Sequence, residues 1–237
     1  MENSRYEIKY LLTYADAIDL YNKLKHIMTP DEHCIDHDQY FVRSLYYDDT
    51  YNTAYSSKIN GENNRAKYRI RAYNMSDDII RFEKKQKHNN KISKTALTLK
   101  RYQYEQLNAD NYEVLENLDD PLAKEIYGLH NSVNLKPTII VDYDRIALTH
   151  LLSSTRITFD MHLRAGIDSY DIFDENLYTY PIFPNDSVIL EIKYNKVIPA
   201  HISAILSTLR GEKTSLSKFC MCRNTLSKLN LKNSIIY

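Results

Sequence analysis

The chain has 237 residues, 43% of them hydrophobic and 26% charged, a composition that describes a soluble globular domain with a core large enough to need no disulfide framework or structural metal. Lys and Arg total 31 and Asp and Glu total 31, so a bulk attraction for polyanions is excluded and any anion site must arise from local sorting of charge. With only four glycines, 21 tyrosines and no tryptophan, the chain has neither GxGxxG nor GxxxxGK[ST], which excludes a Rossmann fingerprint and a P-loop.

Eight short runs of alternating character predict strands at 4–11, 40–47, 65–74, 78–88, 91–99, 137–148, 155–164 and 187–195. Helical periodicity is read at 14–27, 101–107, 112–127, 199–209 and 216–229. Turns are expected at 60–64 and 88–91, and a surface loop over 166–186. The fold class expected is therefore α+β: about eight mostly antiparallel strands in a barrel or strongly curved sheet, with peripheral helices. No apolar run approaches the ~20 residues of a membrane span. The N-terminus has no signal-peptide character, and Cys34, Cys220 and Cys222 have neither disulfide nor zinc spacing. Free thiols and a cytoplasmic location are the expectation.

The informative pattern is the strand face on which charge falls. Arg5, Glu7 and Lys9 share one face of the first strand, and Lys67, Arg69 and Arg71 share one face of the third. Arg81, Glu83 and Lys85 follow on the next strand, with Lys84 breaking the alternation. Arg156, Thr158 and Asp160, then Glu191 and Lys193, repeat the arrangement later. An antiparallel sheet with one solvated face is the plainest account. Yet cations greatly outnumber acids on these faces, and neighbouring like charges repel. The balancing acids fall elsewhere, as in Asp48-Asp49, Asp77-Asp78 and Asp119-Asp120. If the sheet closes, the charged faces line a basic tunnel. Phosphate is the ligand such a surface suits, because Arg presents paired donors and Lys a point charge. The embedded glutamates would then hold a divalent metal on phosphate oxygens.

The segments RYEIKY at 5–10, KYRIR at 67–71, FEKK at 82–85, Ser93 with Lys94, YDRIA at 143–147, RITFD at 156–160, LEIK at 190–193 and LSKF at 216–219 occur in this order. Together they resemble the triphosphate tunnel metalloenzymes, and within them the catalytic domain of the vacuolar-transporter-chaperone type of polyphosphate polymerase. The resemblance runs from Arg5 to about Arg223 and implies that residues 1–237 form a single tunnel domain. It implies that Lys9, Arg69, Arg71, Lys85, Lys94, Arg145 and Lys218 act directly on the transferred phosphates. Lys67, Lys87, Arg156, Lys193 and Ser217 would bind substrate, and Glu191, with Glu7 and Glu83, would hold Mn²⁺ or Mg²⁺.

The activity implied is transfer of the γ-phosphoryl of ATP onto a growing polyphosphate chain. A metal-dependent triphosphatase and a non-catalytic polyphosphate- or nucleotide-binding module are the alternatives. The expected partners are ATP, triphosphate and polyphosphate, with no nucleic acid. The sequence departs from the pattern at Arg5, where the wider superfamily has an acid, and at Lys87, where fungal polymerases have a histidine. No phosphate-sensing extension or membrane segment is read, so synthesis coupled to translocation would require a separate membrane-protein partner.

Overall fold

A computed structural model describes residues 6–31, 34, 39–89, 91–183 and 186–229. The chain divides into two compact units, each assembled from separate segments. The first contains the described residues up to 41 together with 143–164 and 181–217; the second contains 42–142, 165–180 and the described residues from 218 onward.

In the first unit, strands β1 (Tyr6–Thr13), β8 (Thr155–Gly166), β10 (Ser187–Tyr194) and the two-residue β11 (Glu212–Lys213) join the C-terminal half of β7 (Lys136–His150) in the order β11-β1-β10-β8-β7. The pairings of β1 with β10 and of β10 with β8 are antiparallel. The apolar positions of this alternation, among them Leu12, Ile157, Phe159, Leu190 and Ile192, form one core with α1 (Tyr14–Leu24) and α6 (Ala200–Leu206). Thr13 starts α1 by accepting a hydrogen bond from the Asp16 amide at 3.2 Å, and the Asp19–Lys23 pair braces its exposed side. Short β2 (Thr29–Pro30) adds to the edge of β7.

Gly211 has a specific steric duty in this unit. A Cβ there would stand 2.9 Å from the Leu11 carbonyl oxygen and collide with Leu12. Its absence lets the following segment lie along β1, where the Thr214 amide donates to the Lys9 carbonyl at 2.9 Å.

In the second unit, the N-terminal half of β7 is followed by β3 (Tyr40–Asp48), β4 (Asn64–Tyr73), β5 (Ser76–His88) and β6 (Lys91–Leu99). Leu45, Ile70, Phe82 and Leu97 point to a second core, covered by α3 (Arg101–Asn108), α4 (Glu113–Glu116) and α5 (Pro121–Val133). The helix expected over 112–127 is thus two helices. Pro121 cannot continue a helix and instead opens one, with the Asp120 carboxylate accepting from the Leu122 and Ala123 amides. A helix not anticipated, α2 (Thr53–Ile59), is capped in the same manner: Asp49 accepts from the Thr53 amide, and Asp48 from those of Ala54 and Tyr55. Two of the three Asp-Asp pairs, Asp48-Asp49 and Asp119-Asp120, therefore supply helix caps.

The fold class is the expected one, α+β and mostly antiparallel, and eight of the eleven strands among the described residues are long ones at the predicted positions. The remaining three, β2, β11 and β9 (Thr179–Pro181, within the expected loop 166–186), have two or three residues each. Among the described residues both strand orders are open-ended, so hydrogen bonding does not close either into a barrel. No helix among them is long and apolar enough to cross a membrane. The three cysteines are free and buried.

Candidate phosphate-binding site

Alternation places the charged residues of each unit opposite its core. In the first unit, the register sets Lys9 opposite Glu191, and Glu191 opposite Thr158; the neighbouring row is Glu7, Lys193 and Arg156. Signs alternate between β1 and β10, while Lys193 faces the like-charged Arg156 across β10 and β8. Lys9 bridges to Glu7 at 3.1 Å, and Lys193 to the buried Glu191 at 3.0 Å. Burial works against the Lys9 ammonium, but Glu191 and Glu7 outweigh it and hold the Lys9 pKa above its ordinary value. The Lys9 amine also donates to the Leu216 carbonyl at 3.3 Å, which brings the residue before Ser217 to β1.

Arg145 makes a two-pronged bridge to Asp160, at 2.6 and 2.8 Å, with both side chains buried. After the cost of burial, Asp160 is the main cause that holds its pKa well above the usual arginine value. Arg156 is held by Asp31 at 2.7 Å and donates to the Tyr40 hydroxyl at 3.1 Å. Burial raises the Tyr40 pKa to about 12 against the pull of Arg145 and Arg156.

The second unit is built differently. Lys67 stands opposite Lys85, and Lys85 opposite Lys94, so one row across β4, β5 and β6 is three lysines. The next row is Tyr46, Arg69 and Glu83, and the one beyond is Ser44, Arg71 and Arg81. Glu83 is the one carboxylate in these rows. One of its oxygens accepts from Arg69 at 2.8 Å and the other pairs with Lys94. Burial opposes ionisation of Glu83, but Arg69, Arg71 and Lys94 together lower its pKa to about 2. Cations thus sit on both oxygens of Glu83.

Lys87 continues the same face of β5, opposite Arg65 and Ile92. Lys84, which breaks the alternation, turns the other way and pairs with Glu125 of α5 at 2.5 Å. Lys218 opens α7 (Lys218–Lys228), whose Phe219 ring stacks on Tyr46 at 5.0 Å and lies 5.1 Å from the Lys67 ammonium. Arg5 lies outside the described residues.

Two residues of this second cluster are not among those expected from sequence. The Tyr46 hydroxyl accepts from Arg69 at 3.0 Å, and the Ser44 hydroxyl accepts from the Arg71 Nε at 3.0 Å. Burial would raise the Tyr46 pKa, but Arg69 and Arg71 bring it down to about 8. The alternation within 40–47 puts Ser44 and Tyr46 on a common face, but only the strand register places them beside the arginines.

The donor set tests the metal expectation. Among the described residues no three His, Cys, Asp or Glu side chains gather as a ligand cluster. Glu191 and Glu7, on either side of Lys9, are instead two carboxylates. Mg²⁺ and Mn²⁺ accept that number when phosphate oxygens and waters complete the shell. The pair therefore fits a metal that arrives with its phosphate ligand, rather than one caged by protein.

A family model, the VTC domain, matches residues 4–227. No curated protein sequence matches the chain. Among solved structures, the fold is similar to that of a candidate adenylyl cyclase from Hippeastrum described as having a dominant triphosphatase activity. That protein is 13% identical, the match covers 92% of this chain and 95% of the other, and the TM-score is 0.59. A candidate adenylate cyclase from Bacillus halodurans is 16% identical over 90% of this chain and 95% of its own, with a TM-score of 0.52. One from Vibrio parahaemolyticus is 11% identical over 94% and 99%, with a TM-score of 0.51. At such identities the likeness establishes a common fold.

Proposed function

The chain belongs to the VTC domain family, and on that premise we propose that it is a metal-dependent phosphotransferase that lengthens polyphosphate at the expense of ATP. The observation that carries this reading is the row Lys67, Lys85, Lys94, flanked by Arg69 and Arg71. Like charges directly opposite on neighbouring strands repel one another, so an extended anion laid along this row is favourable. A chain of phosphates supplies that anion, with one negative oxygen or more for each cation.

In the proposed reaction a terminal oxygen of the acceptor chain attacks the γ-phosphorus of ATP. The bond from that phosphorus to the bridging oxygen breaks, ADP leaves with the electron pair, and a new P–O–P linkage forms. Such transfers depend on positioning and charge neutralisation rather than on a covalent protein intermediate. Arg69 and Arg71 are positioned donors, pre-aimed by Glu83, Tyr46 and Ser44. Lys85, Lys94, Lys67 and Lys87 spread positive charge along the chain. In the other unit Lys9, Arg145, Arg156 and Lys193 are the cations, with Ser217 as a hydroxyl donor, while Lys218 joins the second unit's cations from the start of α7. Glu191 and Glu7 are the proposed carboxylates for Mn²⁺ or Mg²⁺, which would neutralise charge on phosphate oxygens.

The test is incubation of the purified protein with ATP and Mn²⁺, with products resolved by ³¹P NMR. ADP together with resonances of internal chain phosphates is expected, and a short polyphosphate seed shortens any lag. Orthophosphate as the only new phosphate at every acceptor concentration would replace this reading by a triphosphatase, the activity described for the Hippeastrum protein. Glu191→Gln should retain phosphate binding while losing the metal-dependent rate; normal turnover by that variant would remove Glu191 from the metal role.

A further inference from the structure

Thr158 sits one strand away from Glu191, directly opposite it in the β8–β10 register, in the row that begins with Lys9. Its neighbours Ile157 and Phe159 belong to the core of the first unit, so alternation turns Thr158 to the charged face with Arg156 and Asp160. The residue is 1% exposed, and its hydroxyl has no hydrogen-bond partner among the described residues. Every charged neighbour in the grid is already engaged: Lys9 by Glu7, Lys193 by Glu191, Arg156 by Asp31, and Asp160 by Arg145.

A buried hydroxyl without a partner costs free energy that valine, of the same shape, would not. The strand environment favours valine equally, so local structure does not explain a threonine here. The geometry points to Thr158 as a further substrate-binding residue, whose hydroxyl donates a hydrogen bond to a phosphoryl oxygen of the bound polyanion beside Glu191. A neutral donor suits that position. A third cation beside Glu191 would compete with Lys9 and Lys193 for its carboxylate, whereas a hydroxyl engages phosphate and leaves the carboxylate charge intact. The inference rests on the phosphate-binding reading above and extends it to a residue outside the cation set.

The test compares wild type, Thr158→Val and Thr158→Ser by titration with tripolyphosphate, using calorimetry and thermal melts. The ligand-free T158V protein should melt at or above the wild-type temperature, since the orphan hydroxyl is gone. Its tripolyphosphate Kd should rise about tenfold, the loss expected for a hydrogen bond to a charged group. T158S should bind within about twofold of wild type. A purely structural role would move the two readouts together: a lower melting temperature with weaker binding in T158V overturns the proposal. So does unchanged T158V binding, or T158S binding as weak as that of T158V. If wild type itself shows neither heat nor a melting shift with tripolyphosphate, the phosphate reading falls and this inference with it. Binding by wild type with no T158V effect removes Thr158 alone.

Discussion

The two units solve the problem of a cationic strand face in opposite ways. In the first, Lys9, Lys193, Arg145 and Arg156 are each matched to a carboxylate: Glu7, Glu191, Asp160 and Asp31. In the second, Glu83 is the one carboxylate among Lys67, Arg69, Arg71, Lys85, Lys87 and Lys94. In a balanced grid the ion pairs hold the charged side chains in place at the cost of desolvation. In an unbalanced one, like charges face each other across strands, which an added polyanion would offset. The ion pairs of the first cluster should therefore answer to mutation mainly in stability, and the cations of the second mainly in ligand affinity.

Asp160→Asn carries the largest expected effect. It leaves the Arg145 guanidinium buried with half of its partner lost, and breaking such a pair costs about 3–5 kcal/mol. Urea denaturation reads it directly, and a loss within the ordinary range of a surface change would break the contrast between the units. Arg69→Ala and Arg71→Ala come next, in affinity. Each removes donors to phosphate, worth about 1.5–3 kcal/mol, or roughly tenfold to a hundredfold in the Kd for tripolyphosphate. Lys94→Ala should cost less, because its half-exposed ammonium is screened by solvent. Equal losses from the three substitutions would mean that net charge alone matters, not the aimed guanidinium groups.

A smaller effect lies in the acid limb of stability. The Glu83 carboxyl is held at about 2 in the folded protein, below the roughly 4.3 of an unfolded chain. Its contribution is present above about pH 4 and is lost as pH falls toward 2, the sign for a depressed carboxylate. Glu83→Gln should flatten the stability curve in that window; an unchanged slope would show that Arg69 and Lys94 do not set its ionisation. Smallest is a spectroscopic signal. Tyr46 should ionise near pH 8, because Arg69 and Arg71 favour its phenolate. Saturating tripolyphosphate neutralises those arginines and should push the transition upward. An early phenolate transition that ignores the ligand would place phosphate away from Arg69.

Strand alternation is a local property, and it carried most of what was legible. A period of two sorts Lys67, Arg69 and Arg71 from Tyr68 and Ile70 without any knowledge of neighbours, so the faces and most candidate residues follow from the sequence itself. The same local reading missed the break at Pro121, where a helical apolar spacing on both sides outweighed the capping signal of Asp120. It also passed over α2, a seven-residue helix whose caps are the acids Asp48 and Asp49 rather than a periodic apolar stripe.

What alternation cannot supply is register. That Glu83 lies between Arg69 and Lys94, that Tyr46 meets Arg69, and that Asp160 claims Arg145 all depend on which residues stand opposite across strands, and so on the hydrogen-bonded ladder. Asp31, outside any strand, reaches Arg156 across 125 positions of chain, a pairing no spacing rule contains. Which residues form the charged faces follows from local order along the chain, because side-chain direction in a strand is set by its own backbone. Which charge meets which partner is a matter of the folded arrangement, because pairing energy depends on distances between atoms far apart in the chain.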